Sequence, residues 1–139
     1  MDYAASGVNI EAGNQAVERI KDMVKSTYQP SVLSNLGHFA SFVELPEGYK
    51  QPVLVSCTDG VGTKLKLAIQ AGIFDTVGVD LVAMSVNDLI CSGAKPLYFL
   101  DYVAVHSLDP QQMEAIISGV VGGCKQAECS FVGGEMAEM

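Results

Sequence analysis

A short glycine-containing segment, which joins a β-branched apolar run to a helical pattern, restricts the folds open to this 139-residue chain. The apolar run covers residues 52–57, the joining segment 58–64, and apolar positions recur as far as residue 69. This order predicts a strand, a loop and a helix, with loop N–H groups at a helix N-terminus, where an anion is favoured. An Asp-Gly pair after a strand is also an ordinary turn signal. A turn and a ligand site are therefore both open at this point.

The residue types in this loop suit a phosphoester ligand. Asp59 can hold a divalent metal, Lys64 can meet a phosphate, and Gly60 and Gly62 let the backbone approach a ligand closely. The spacing matches neither the P-loop nor the dinucleotide fingerprint, because Leu65 stands where the third glycine of the latter is required. The loop by itself therefore does not establish that the ligand is a nucleotide.

Charge and composition narrow the classes of function. A hydrophobic content of 49% with 17% charged residues predicts a folded domain, and a formal charge of −8 argues against a nucleic-acid surface. A polyphosphate ligand would need metal cations beside so many acidic groups. The four cysteines show no metal-binding spacing and predict buried free thiols. No signal peptide or membrane span is visible, so we expect a soluble cytoplasmic protein.

The periodicity predicts alternating helices and strands. We expect a mobile arm over 3–14, helices over 12–27, 63–72, 79–92 and from Asp109-Pro110, and strands over 38–45, 52–57, 97–105 and 129–132. The strands at 38–45 and 52–57 would form an antiparallel hairpin, and Gly133-Gly134 would turn the chain after the last strand. This order predicts an α+β or mixed α/β fold.

Acidic side chains recur in the second half of this pattern. Asp80, Asn87 and Asp88 share one side of the predicted helix over 79–92, which carries no lysine, arginine or glutamate there. Such an arc is either a solvated face or a set of oxygen ligands for Mg²⁺. Asp101 lies alone in an apolar strand and requires either a structural partner or a cation. Glu135 follows two glycines, and Asp59 precedes one, so both carboxylates lie beside a flexible backbone. Nothing in the sequence marks His38 or His106 as catalytic.

Five motifs together resemble the aminoimidazole ribonucleotide synthetase family, also called phosphoribosylformylglycinamidine cyclo-ligase. They are YAASGVNIEAGN at 3–14, TDGVGTK at 58–64, GVDLVAMSVNDL at 78–89, FLDY at 99–102 and GGEMAEM at 133–139. The chain departs from the family pattern at three positions. Asn9 stands where the family usually has aspartate, Cys57 where glycine is common, and Met136 where the family has threonine.

The resemblance implies an N-terminal ATP-binding and dimerisation domain over 1–139, without the family's last strand and C-terminal domain. It implies a β-barrel completed across a homodimer with helices outside, and ATP-dependent ring closure of formylglycinamidine ribonucleotide, which this segment alone would hardly perform. ATP and Mg²⁺ would be the cofactors. The implied catalytic residues are Asp59, Lys64 and Asp88, and the implied metal ligands are Asp59, Asp80, Asp88 and Glu135. The implied nucleotide-binding residues are Asn9, Gly60, Val61, Gly62, Thr63, Lys64, Asn87, Gly133 and Gly134.

Two alternatives remain at this stage. Another ATP-using member of the same superfamily, such as selenophosphate synthetase or thiamine-monophosphate kinase, would share an acidic nucleotide site. A non-catalytic dimerisation module would bind no nucleotide and would show no metal-dependent heat when titrated with ATP.

Overall fold

The computed structural model describes residues 6–139 as four helices and a two-stranded sheet. Three helices precede the first strand, and the fourth helix connects the two strands. The elements are α1 (Ile10–Lys25), α2 (Lys64–Ala71), α3 (Val77–Cys91), β1 (Tyr98–Val105), α4 (Pro110–Gln126) and β2 (Ser130–Glu138). The predicted mixed α/β class is confirmed.

Helix α1 begins at Ile10, so the last five residues of the predicted arm are helical. The side chain of Asn9 accepts a hydrogen bond from the Ala12 N–H at 3.0 Å and caps the helix, which explains the early start. The buried stripe contains Ala16, Ile20 and Val24 at helical spacing. Of the rest of the predicted arm, residues 3–5 lie outside the described part of the chain.

Helix α4 is the centre of the core. Asp109 caps it by accepting from the Gln111 N–H at 2.9 Å, with Pro110 in the first turn, as the sequence predicted. Apolar residues spaced along α4 are fully or nearly fully buried against α1 and α3; they are Met113, Ile117, Val120, Val121 and Cys124. Burial of this stripe on both sides makes α4 the element around which the other helices pack.

Glycines bring α3 and α4 into close contact. A Cβ on Gly78 would lie 2.3 Å from the Val120 nitrogen, and one on Gly119 would lie 2.4 Å from the Asp75 oxygen. Both distances are too short for any real Cβ, so the backbones themselves touch at this crossing. The packed face of α3 therefore points to α4, and the acidic face is left on the other side.

Strands β1 and β2 are parallel and joined by the α4 crossover. Phe99 pairs with Phe131, and a register shift follows, so Asp101 pairs with Gly134 and Tyr102 with Glu135. Phe99 and Phe131 are buried and meet edge to face with centroids 6.2 Å apart. The opposite face of β1 is open, because Tyr98, Leu100 and Tyr102 are 41%, 55% and 62% exposed.

The predicted hairpin of strands at 38–45 and 52–57 is wrong. In the described chain the only pairing near it is an isolated antiparallel bridge between Val32 and Val43, and residues 52–60 are exposed without regular structure. The β-branched run has the composition of a strand, but a strand also needs a neighbour that supplies hydrogen bonds and covers its side chains. Within residues 6–139, the segment 52–57 has no such neighbour.

The predicted turn at Gly133-Gly134 is also wrong, because β2 continues through both glycines to Glu138. A Cβ on Gly134 would lie 1.7 Å from a carboxylate oxygen of Asp101 on the paired strand. Glycine is therefore required here by the closeness of a neighbouring side chain and not by a change in chain direction.

The expectation of buried thiols is right for two cysteines and wrong for two. Cys124 and Cys129 are buried, whereas Cys57 and Cys91 are exposed and all four are free. Cys57 belongs to the uncovered segment 52–60 and Cys91 ends α3, so their apolar sequence neighbours do not cover them.

Within residues 6–139, none of the helices has the length and apolar character needed to cross a bilayer.

Candidate functional site

The glycine loop lies immediately before α2, as predicted. Gly62 adopts a positive φ of 66°, a conformation that glycine takes without strain, and Thr63 occupies the N-cap position without a side-chain cap. The Asp59 carboxylate accepts from the Gly60 N–H at 2.7 Å, which folds the side chain onto the loop. The loop is open to solvent, so a ligand can reach both its backbone and the Asp59 carboxylate.

Two contacts hold this loop against α3. The Lys64 ammonium lies 3.6 Å from a carboxylate oxygen of Asp80, and the Cys57 thiol donates to the Ser85 carbonyl oxygen at 3.1 Å. Both side chains of the ion pair are about half exposed, so the pair adds little to stability. Its importance is positional, because it places a cation and a carboxylate from separate motifs side by side.

The rest of the acidic face of α3 is exposed. Asn87 and Asp88 lie on the side of the helix away from α4, whereas Val82 and Val86 on the other side are buried. The acidic side is therefore exposed as predicted, but Ile90 on the predicted apolar side is 56% exposed as well.

A groove of about 1440 Å³ runs between the segment 52–61, α3 and β1. Its lining includes Asp59, Gly60 and Val61 of the loop, while most of the remaining lining is apolar. A second cavity of about 620 Å³ is bordered by His38 and by Gly133, Gly134 and Glu135 of β2. Asp101 borders both cavities, so the carboxylates of Asp59 and Glu135 lie in separate cavities that share a wall.

Asp101 is the most electrostatically perturbed carboxylate of the region. Burial raises its pKa to about 7, a hydrogen bond from its own backbone N–H opposes the rise, and the charge of Glu135 adds to it. One carboxylate oxygen is buried without a hydrogen-bond partner in the described structure. No lysine therefore satisfies Asp101, and the carboxylate is retained at a cost to stability.

The predicted metal ligands are not gathered into one cluster. Among residues 6–139, no three His, Cys, Asp or Glu side chains converge on a common point. Asp80 is paired with Lys64, and Glu135 lies across the wall from Asp59. The donors therefore do not fit a metal held by protein alone. They fit a Mg²⁺ that is held by one or two carboxylates and completed by phosphate oxygens and water.

Glu138, the last residue of β2, was assigned no role from the sequence. The Glu138 carboxylate accepts from the Asn9 N–H at 2.5 Å and from the Leu108 N–H at 2.8 Å. Asn9, a predicted nucleotide contact, is thereby placed at the end of β2 while its side chain caps α1. A carboxylate within a glycine-rich run was visible in the sequence, but its two backbone partners lie 129 and 30 residues away.

Comparison with known proteins shows the family to which the chain belongs. The family model described as AIR synthase related protein, N-terminal domain, matches residues 40–139. Proteins named phosphoribosylformylglycinamidine cyclo-ligase from Picosynechococcus sp., Synechocystis sp. and Clostridium perfringens are 58%, 54% and 55% identical over all 139 residues. The chain spans 41%, 41% and 42% of their lengths.

A solved structure shares the fold at much lower identity. Thiamine-monophosphate kinase from Stenotrophomonas maltophilia matches with a TM-score of 0.67 and 20% identity, over 87% of this chain and 38% of that one. At this identity the likeness concerns the fold alone. The family match covers 100 of the 139 residues and is to the model of the N-terminal domain, so the chain belongs to the AIR synthase related family.

Proposed function

We propose that this chain is the ATP-binding and dimerisation part of a phosphoribosylformylglycinamidine cyclo-ligase. The observation that carries the proposal is identity of 54–58% with relatives of that name over the full chain. In the complete protein, ATP would phosphorylate the formyl oxygen of formylglycinamidine ribonucleotide. The amidine nitrogen would then attack that carbon, and phosphate would leave as the imidazole ring closes.

The glycine loop supplies the phosphate contacts in this proposal. Lys64 would exchange its contact with Asp80 for a phosphate oxygen, and the backbone N–H groups of residues 60–63 would surround the phosphates. Asp80 would then be free to accept a cation. Asn87, Gly133, Gly134 and Asn9 complete the proposed nucleotide contacts.

A bound Mg²⁺ would offset the charge that develops on the transferring phosphoryl group. Asp59, Asp80, Asp88 and Glu135 are the proposed ligands, one or two of which suffice when phosphate oxygens complete the coordination. The acidic balance of the chain, −8 overall, favours such a cation beside a bound polyphosphate.

Replacing Asp59 with alanine tests the assignment of the loop. Asp59 is exposed and its described hydrogen bond is to its own neighbour, so the fold should survive the change. We expect Mg²⁺-dependent ATP binding, measured by titration calorimetry, to weaken by at least about tenfold, the lower range for lost support of a metal site. Binding is the readout because we propose that this segment alone has little cyclisation activity.

Asp22→Ala is the matched control, since it removes the same charge from the exposed side of α1. It should bind Mg-ATP as the unaltered chain does. Unchanged Mg-ATP binding by Asp59→Ala would contradict the proposed role of the loop. A complete lack of metal-dependent heat in the unaltered chain would instead favour a non-catalytic dimerisation module.

We also propose that the open face of β1 is a homodimer interface. Tyr98, Leu100 and Tyr102 form an apolar surface there, and Val53 and Leu54 of the adjacent segment are 82% and 60% exposed. Apolar surface of this kind marks an interaction site. A second copy of the chain would supply the strand neighbours that residues 52–57 lack, and a shared β-barrel across the two subunits would result.

Sedimentation velocity tests this assembly. We expect the unaltered chain to sediment as a dimer and Leu100→Glu to sediment as a monomer, because a carboxylate on this face would be desolvated in the interface. Leu33→Glu, which alters a leucine 66% exposed outside β1, should remain dimeric. A monomeric unaltered chain at micromolar concentration would refute the interface.

A further inference from the structure

The N-termini of the two longest helices converge on one carboxylate. Asn9 is the N-cap of α1, and Leu108 directly precedes Asp109, the N-cap of α4. The N–H groups of Asn9 and Leu108 both donate to Glu138, one to each carboxylate oxygen. A negative charge at the start of a helix is favoured by the helix dipole, and here two helices act on the same charge.

The electrostatics of Glu138 agree with this geometry. The N–H donors of Asn9 and Leu108 lower the pKa of its carboxyl, and the nearby His106 lowers it further. Each N–H belongs to a different part of the chain, and neither is used inside its own helix. The carboxylate therefore joins three separate segments: the entry to α1, the loop before α4 and the last residue of β2.

The position of Glu138 relates this junction to the candidate site. Glu138 is three residues beyond Glu135 on the same strand, a separation of about 10 Å at the usual rise. Its backbone is fixed by pairing with Val105, and the following Met139 N–H donates to the Val105 oxygen at 2.9 Å. Residues 6–9 thus enter α1 from a fixed point on the strand that carries Glu135.

We propose that Glu138 is a positioning residue, which fixes the root of the N-terminal segment 6–9 to β2 and thereby sets how tightly the domain holds its nucleotide. The inference rests on the proposed function, because it concerns the affinity of that same site. Glu138 itself touches neither nucleotide nor metal in this proposal. It acts by holding the Asn9 backbone, and with it the start of α1, at the end of β2.

The first measurement is amide hydrogen exchange, which requires no ligand. In Glu138→Ala, exchange at the Asn9 and Leu108 N–H groups should accelerate at least about fivefold relative to the unaltered chain, since each loses its acceptor. Glu138→Gln keeps one carbonyl acceptor and should protect one of the two amides. Glu18→Ala removes a 77% exposed carboxylate from α1 and should change neither. Unchanged exchange at both amides in Glu138→Ala would overturn the anchoring.

The second measurement is the affinity for Mg-ATP by titration calorimetry. We expect Glu138→Ala to bind at least about fivefold more weakly, the lower end of typical coupling between separate sites, with Glu138→Gln intermediate. The thermal midpoint of each variant distinguishes this effect from general loss of structure, because the affinity is measured well below it. Faster exchange with unaltered affinity would overturn the positioning role.

The two proposals fail in different ways. If titration of the unaltered chain with ATP gives no metal-dependent heat, the proposed function is wrong. The proposed effect of Glu138 on nucleotide affinity is then wrong as well. The exchange data would still decide whether Glu138 anchors the segment. If the unaltered chain binds Mg-ATP and the Glu138 variants bind equally well, only the positioning role is wrong.

Discussion

Replacing Gly119 with alanine should destabilise the domain by about 3 kcal/mol or more, the upper range for overpacked cores. The added Cβ would lie 2.4 Å from the Asp75 oxygen and 3.1 Å from the Gly78 Cα. Both neighbours are backbone atoms, so no side chain can rotate away and α3 must move relative to α4. This movement would disturb the largest helix–helix contact of the fold. Equilibrium denaturation followed by circular dichroism measures the change.

Gly122 on the same helix provides the control. A Cβ there would meet its nearest neighbour, a methyl group of Val79, at an ordinary 3.9 Å. Gly122→Ala should therefore be neutral or should stabilise the domain by up to about 1 kcal/mol, the difference in helix propensity. Equal stability of the Gly119 and Gly122 variants would show that α3 and α4 do not cross as closely as described.

Replacing Asp101 with asparagine should stabilise the domain at pH 8 and leave it nearly unchanged at pH 4. The folded-state pKa of about 7 is raised from a usual value of 3.8 by burial. Below the usual value, both folded and unfolded chains carry the proton. Between the two values the folded chain retains a proton that the unfolded chain loses, so the free energy of unfolding falls as pH rises. Above pH 7 this loss is complete.

The difference of about three pKa units corresponds to about 4 kcal/mol at full ionisation. Asparagine has the same shape, cannot ionise and fits beside Gly134 as the carboxylate does. Denaturation at several pH values, without divalent metal, measures the gain. Asp22→Asn removes an exposed charge from α1 and controls for net charge. An identical gain at pH 4 and pH 8 would mean that ionisation of Asp101 is not its source.

The cost of Asp101 bears on its role. A carboxylate that weakens the fold at neutral pH, and that borders both cavities of the candidate site, is typical of a residue kept for function. The sequence left a structural partner and a cation equally open for it. The structure excludes a lysine as the structural partner, since no lysine reaches Asp101 in the described chain.

Local signals predicted all four helices with small errors at their ends. Asp109-Pro110 marked the start of α4, and Gly72, which adopts a positive φ of 66°, marked the end of α2. These signals work because a helix satisfies its hydrogen bonds within one short segment, so its limits are encoded nearby. The start of α1 was placed two residues late, because the small and polar residues 3–14, with Gly7 and Gly13, predicted a mobile arm.

Strands were predicted less well for the opposite reason. The run at 52–57 has strand composition but pairs with no strand in the described part of the chain. In contrast, β2 continues through two glycines because β1 lies beside them. A strand depends on distant residues that no local pattern specifies. The same limitation affected the site. Asp59, Lys64 and Asp80 were selected by residue type, but only the fold showed which of them are adjacent.

The sequence by itself determined the helices, the mixed α/β class and, through the five motifs that resemble a known family, the family. Each of these depends on nearest neighbours along the chain or on direct comparison of residues. Only the tertiary structure decided that Lys64 pairs with Asp80, that one Asp101 carboxylate oxygen is buried without a partner in the described chain, and that Glu138 joins the starts of α1 and α4. These contacts form between residues 16 to 129 positions apart, and packing of the whole chain is required to bring them within hydrogen-bond reach.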